Sequence, residues 1–237
     1  MIGEHEHDRR LLVWHGVDPE RVDAADVQLG PDRLRARGTS LAPGYALSYR
    51  LATGPAWATR ELGVRVEGDG WWRTLELRRG DDGEWSLRRR EGPSGGAGAA
   101  RAQVAGVDAA GVGAAGRGEE LALPELAGAL DCDLGLCLLT NTMPVRREGL
   151  VAAARDRQAR RAELTMAWVA VPELVVSPAA QAYESVPRPG GPPRGSTAAP
   201  GAVVRFSSGD FTASIELDAD GLVVDYPGIG RRVALSR

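Results

Sequence analysis

The sequence predicts an all-β protein: a many-stranded, mostly antiparallel curled sheet, a spiral β-roll or incomplete barrel. Three observations carry this reading. Apolar residues recur at every second position through most of the chain, and Gly- and Asp-rich turn signals punctuate those runs. Only residues 151–163 (VAAARDRQARRAE) offer a helical pattern, and that stretch also reads as a polar loop between strands.

In chain order, Tyr45, Leu47, Tyr49 and Leu51 share one face of a strand whose other face carries Ala46, Ser48, Arg50 and Ala52. Arg60, Leu62, Val64 and Val66 then alternate with Gly63, Arg65 and Glu67. The next run, Trp71 to Arg78, enters an Asp-Asp-Gly turn and returns through Glu84 to Leu87, which is the grammar of a hairpin. The C-terminal part repeats it: Ala213, Ile215 and Leu217, a turn from Asp218 to Gly221, then Leu222, Val224 and Tyr226. Two similar hairpins suggest a pseudo-repeat of β-meanders. Between them, Leu164 to Val176 (LTMAWVAVPELVV) is apolar on both faces, which predicts a central position, with Pro172 forcing an edge or a break.

Two segments interrupt this pattern. Residues from about 91 to 120 are made largely of Gly, Ala and Arg, with almost no large side chains to offset the entropy of ordering, and predict a flexible insertion. Residues from about 187 to 201 are rich in Pro and Gly and predict a loop. The rest reads as a single domain over residues 1–237. A sheet this wide must hide or close its edges, hence the predicted curl. A curled sheet encloses volume, and what its side chains leave unfilled is a cavity or groove suited to an apolar ligand.

Composition excludes several function classes. The formal net charge is −3, so the chain has no overall attraction for phosphate backbones and nucleic acid is not an expected partner. The sequence contains no lysine, so its 29 basic side chains are all arginine, planar and permanently charged. No window supplies the roughly 18 apolar residues that a membrane helix needs, and the first ten residues are polar, so a cytoplasmic protein without membrane insertion is expected. Cys132 and Cys137 have no second cysteine pair or nearby histidine and read as buried thiols. His5 and His7 lie in a polar terminus, and no metal or cofactor is expected. No nucleophile elbow, zinc helix, phosphate loop or dinucleotide fingerprint appears, so the expectation is a non-enzyme.

The densest signal is residues 130–149, LDCDLGLCLLTNTMPVRREG. Asp131, Asp133 and Leu134, then Thr140-Asn141-Thr142-Met143-Pro144-Val145-Arg146-Arg147, and finally Gly221-Leu222-Val223 with Tyr226 and Pro227 resemble a bacterial family named for glycolipid binding. Trp14, the turn from Arg35 to Thr39, Trp57 with Arg60, Trp85, Ala167-Trp168-Val169, and Gln181 with Tyr183 extend the resemblance over nearly the whole chain. The octapeptide is its most specific piece. Two departures stand out: the long Gly/Ala/Arg insertion, and Gly230 where the family often has a large aromatic. The resemblance implies a spiral, many-stranded β-roll that binds a lipid or glycolipid without catalysis.

The residues themselves admit more than one role. Asp131 and Asp133, two apart in a strand, face the same side, where they either pair with Arg146 and Arg147 or serve as the acid and base of a glycan hydrolase. Thr140, Asn141, Thr142 and Pro144 read as a shaped loop. Beside it, Asn141, Thr142, Arg146 and Arg147 are candidates to grip the headgroup of an amphiphile. Trp71 and Trp72 are adjacent and point to opposite faces, so one of them is left for solvent or a ligand. Tyr226 and Pro227 belong to the structural motif. A third reading is a structural or interaction protein with a filled core.

Overall fold

The computed structural model describes residues 8–93, 120–187 and 201–235. His5, His7, most of the predicted insertion and most of the predicted loop lie outside them. Glu91 to Pro93, assigned above to the insertion, instead complete a strand.

The first half of the sheet is a meander of strands β1 (Asp8–Gly16), β2 (Arg21–Leu29), β3 (Leu34–Ala42), β4 (Tyr45–Thr53), β5 (Thr59–Gly68), β6 (Trp71–Arg79), β7 (Trp85–Pro93) and the two-residue β8 (Leu121–Ala122). The second half comprises β9 (Asp131–Leu134), β10 (Arg161–Val169), β11 (Val176–Ser185), β12 (Ala202–Ser208), β13 (Phe211–Leu217), β14 (Val223–Tyr226) and β15 (Gly230–Arg232). All fifteen form one open sheet, in the order β8 to β1, then β15 down to β9. Two meanders are thus joined through the first and last strands, with Trp14 opposite Arg232 and Gly16 opposite Gly230. The pairing of β9 with β10 is parallel, and the others are antiparallel.

Period-two patterning explains most of this. In β4, Leu47 and Leu51 are buried while Ala46, Ser48 and Arg50 are exposed. The hairpin of β6 and β7 forms where predicted, with Leu77 opposite Leu87. Four details differ from the sequence reading. Arg35 to Thr39, read above as a turn, run extended through the middle of β3. A register shift at the end of β4 pairs Ala52 with Glu61 but Thr53 with Thr59, so Arg60 is the extra residue and turns outward from the face of Leu62. The stretch 164–176 is not central: β10 neighbours the edge strand β9, and Pro172 lies in the turn that ends it. The helical pattern at 151–163 shrinks to a single helix, Leu150–Arg155, with β10 starting at Arg161.

The sheet curls far enough for distant strands to meet. Although β5 and β9 are well separated in strand order, the Thr59 amide donates to the Leu130 carbonyl at 2.9 Å, and the Cys132 amide donates to the Thr59 hydroxyl at 3.0 Å. The hollow is filled by the chain itself. A 3-10 turn (Leu138–Asn141), helix α1 (Thr142–Arg147) and helix α2 (Leu150–Arg155) bring Leu138, Leu139, Met143, Val145 and Leu150 into the same core as the inner faces of the strands. Trp85 and Trp14 span this core and donate their indole N–H groups to the Ala129 and Val223 carbonyls, so each buried ring has its polar atom satisfied. The void beside Tyr45, Tyr49 and Leu138 measures only about 20 Å³, room for one water.

The expected Thr-Asn-Thr loop is therefore a 3-10 turn running into α1. Pro144 is tolerated because it stands in the first turn, where its missing N–H has no intrahelical partner to lose. Gly149, at φ +62, makes the left-handed break between α1 and α2.

Candidate functional site

The motif residues gather into two adjacent polar clusters, one around Asp131 and one around Asp133, built by β9, the 3-10 turn, α1 and β11. Asp131 has no exposed surface and accepts two parallel hydrogen bonds from the Arg147 guanidinium, each 2.6 Å. Arg147 also reaches Glu148 at 3.2 Å. Asp133 accepts from the Thr140 hydroxyl at 3.0 Å and the Gln181 amide at 2.7 Å. The Tyr183 hydroxyl lies between the Asn141 and Gln181 side-chain oxygens at 3.1 and 3.2 Å. Asn141 in turn donates to the Leu138 carbonyl at 3.2 Å.

Tyr226 joins the Asp133 cluster through aromatic contacts: its ring meets Phe206 edge-on at 5.9 Å, and Phe206 meets Tyr183 at 5.1 Å. Pro227 follows at the turn closed by the Ile229 amide on the Tyr226 carbonyl. Motif pieces almost a hundred residues apart in sequence are thus brought together. Burial raises the carboxyls of Asp131 and Asp133 above the usual range. The Arg147 fork opposes the shift at Asp131, and Gln181 and Thr140 oppose it at Asp133.

The two arginines of the octapeptide part company. Only Arg147 pairs with an aspartate, which corrects the expectation that both would. Successive residues on a helix point roughly 100° apart. Arg146 consequently leaves both clusters and lies over the Trp57 ring, 4.8 Å from guanidinium carbon to ring centre. Its stem packs beside Gly221, where an added Cβ would stand 3.2 Å from both Arg146 Cδ and Val145 Cγ1. Trp57 is presented by an unusual backbone: Ala56 and Trp57 are consecutive left-handed residues, at φ 55 and 64. Non-glycine residues hold that conformation only where their surroundings impose it. Among the described residues no carboxylate reaches Arg146.

The remaining sequence candidates fall elsewhere. Asn141 and Thr142 are buried and do not form a mouth; among the described residues the Thr142 hydroxyl has no partner. Trp71 and Trp72 are both half-buried, under Arg73 at 4.4 Å and Arg65 at 5.6 Å. They lie at the far end of β5 from Thr59, roughly 30 Å along the strand, so the structure does not join them to the octapeptide, whose Met143 touches Thr59. Gln181, Tyr183 and Trp57 were legible as family positions but not as parts of the site. The sequence signal was Gln181 and Tyr183 two apart on one strand face.

The model of the family described as "Putative glycolipid-binding" matches residues 11–232. The chain belongs to that glycolipid-binding family. Among solved structures, a DUF1089 family protein from Pseudomonas aeruginosa is similar at 26% identity, with a TM-score of 0.57, over 89% of this chain and 92% of its own. No curated protein matches the chain. For this member of the glycolipid-binding family, the departure at Gly230 has a local reason. A Cβ there would stand 3.0 Å from the His15 carbonyl and 3.3 Å from Leu138, so a larger side chain would displace the filling of the hollow.

An open groove of about 970 Å³ is lined by Gly54, Pro55 and the tip of the β6–β7 hairpin. Arg33 and Arg60 on its walls are paired with Asp32 and Asp81, each at 2.8 Å. Among the described residues, no helix is long and apolar enough to cross a membrane, and no group of three or more His, Cys, Asp or Glu is placed to hold a metal.

Proposed function

We propose that the chain is a non-catalytic binding protein for an amphiphile, a glycolipid or other lipid, which it grips by the polar headgroup at its surface beside Arg146. The observation carrying this reading is the contrast within the octapeptide. Arg147 is consumed by Asp131, whereas Arg146 is half-buried, pre-oriented on Trp57 and, among the described residues, without a carboxylate partner, so that its fork can take a phosphate, carboxylate or sugar hydroxyls. The family's name points the same way. The filled hollow argues for a surface grip over an enclosed ligand.

The hydrolase alternative finds less support. A retaining or inverting pair needs carboxyl groups open to a glycosidic oxygen, and here Arg147 occupies both oxygens of Asp131 while Thr140 and Gln181 occupy those of Asp133. The reading as an interaction protein with a filled core has the filled hollow itself in its favour.

Native mass spectrometry of the purified chain, followed by solvent extraction and mass analysis of what it carries, tests the proposal. A recurrent amphiphile in fixed stoichiometry, lost from Arg146→Ala while that variant stays folded, is the expected result. A clean apo mass that lipid and glycolipid extracts leave unchanged overturns it.

A further inference from the structure

We propose that the outward face of β3 and β4 docks on an anionic lipid bilayer, independently of any ligand held beside Arg146. In a chain with more acidic than basic side chains, these two adjacent strands turn three arginines to solvent, Arg35, Arg37 and Arg50, and no acid. Arg37 and Arg50 stand directly opposite each other in the register. Like charges so placed destabilise a strand pair unless something else neutralises them.

The neighbouring acids do so only in small part. Asp26, across from Arg37 on β2, is held bidentately by Arg9 at 2.8 and 2.6 Å. The carboxylate nearest Arg50 is Glu76 on β6, at 3.6 Å. Arg50 gets that far only because Gly63 lies beneath it, where an added Cβ would come within 2.6 Å of the guanidinium. Arg35 and Arg37 have no ion-pair partner among the described residues.

The apolar half of the surface adjoins these arginines. Leu41, 66% exposed, pairs across the register with Val22, 53% exposed, a short way along the same face. Exposed aliphatic side chains a few residues along the face from Arg35 and Arg37, which have no ion-pair partner among the described residues, fit an interface where the first enter the headgroup boundary and the second meet lipid phosphates. Single-stranded nucleic acid would instead call for aromatic stacking platforms, and the outward positions of β3 and β4 hold none.

The test is co-sedimentation of the full chain with vesicles of phosphatidylglycerol and phosphatidylcholine, against phosphatidylcholine alone, at low and high salt. The expected result is binding to the anionic vesicles only, weakened by salt. Changing Arg35, Arg37 and Arg50 together to Ser lowers the partition about 100-fold, roughly fivefold per arginine. Leu41→Ser lowers it while leaving the salt dependence in place. All these positions are exposed, and an unchanged circular dichroism spectrum shows that the variants remain folded. The inference falls if wild-type chain stays in the supernatant, if it binds neutral vesicles equally, or if the triple variant binds as well as wild type.

Discussion

Arg147 and Asp131 share two parallel hydrogen bonds of 2.6 Å, with Asp131 fully buried and the Arg147 side chain 11% exposed. The pair ties α1, which fills the hollow, to β9, the sheet's last strand. Removing Asp131 leaves Arg147 with only its 3.2 Å contact to Glu148, and removing Arg147 leaves Asp131 buried without a cation, whereas removing both leaves an apolar gap that can be repacked. Asp131→Asn is therefore expected to cost about 3 kcal/mol in urea unfolding. Asp131→Leu combined with Arg147→Met should cost less than either change alone; additive losses would show that the pair is not a coupled unit.

Asp133 gives the fold a distinctive pH response. Burial raises its carboxyl above the ordinary value of 3.8 despite the hydrogen bonds from Gln181 and Thr140. The folded chain thus holds this proton more tightly than the unfolded chain. The group's contribution to stability is complete below 3.8 and is lost as pH rises through the raised folded-state value. Asparagine suits the same place: its oxygen can accept from Gln181, and its amide can donate to Thr140, whose own hydroxyl proton then goes to the Cys137 carbonyl. Asp133→Asn is expected to keep the fold at neutral pH and to flatten the stability profile from pH 4 upward relative to wild type. An unchanged profile would mean that Asp133 titrates normally.

The alternation of β4 and the Asp-Asp-Gly hairpin were legible because strand periodicity and turn chemistry are local. The fates of Arg146 and Arg147 were not. Neighbouring arginines have identical chemistry, and only the helical step separates the one facing Asp131 from the one facing Trp57. The filling of the hollow was hidden for a related reason: α1 and α2 are six residues each, too short for a helical period to show, and Pro144 disguises the first of them. Long-range pairing explains the rest. Nothing near Asp131 in sequence signals that β9 runs parallel to β10, or that Thr59 closes on Leu130.

Cys132 is buried as expected and Cys137 is only half-buried, yet both thiols should be inert in the native chain. Burial pushes Cys137 up to about 11 even though the Tyr49 hydroxyl favours its thiolate, and burial raises Cys132 further. Thiolate is the reactive species, so little of it exists at neutral pH. A thiol-directed reagent is expected to label neither cysteine in buffer and both in urea, at the rate of global unfolding. Fast native labelling of Cys137 alone would reveal local opening of the turn at residues 135–138.

Gly221 supports the position of Arg146 in two separable ways. Its φ of +79 favours glycine, and its bare Cα leaves room for the Arg146 stem, since an added Cβ would lie 3.2 Å from Arg146 Cδ and from Val145 Cγ1. Gly221→Ala adds left-handed strain to this crowding, together about 1–2 kcal/mol. Arg146→Ala alone removes the contact with Trp57 and should cost about 1 kcal/mol. Truncating Arg146 relieves part of the crowding and none of the strain. Gly221→Ala should therefore cost less in the Arg146→Ala background than in wild type, yet still more than zero. A double-mutant cycle by urea unfolding reads this directly. Strict additivity would show that Gly221 is required for its backbone angle alone and has no part in aiming Arg146 at Trp57.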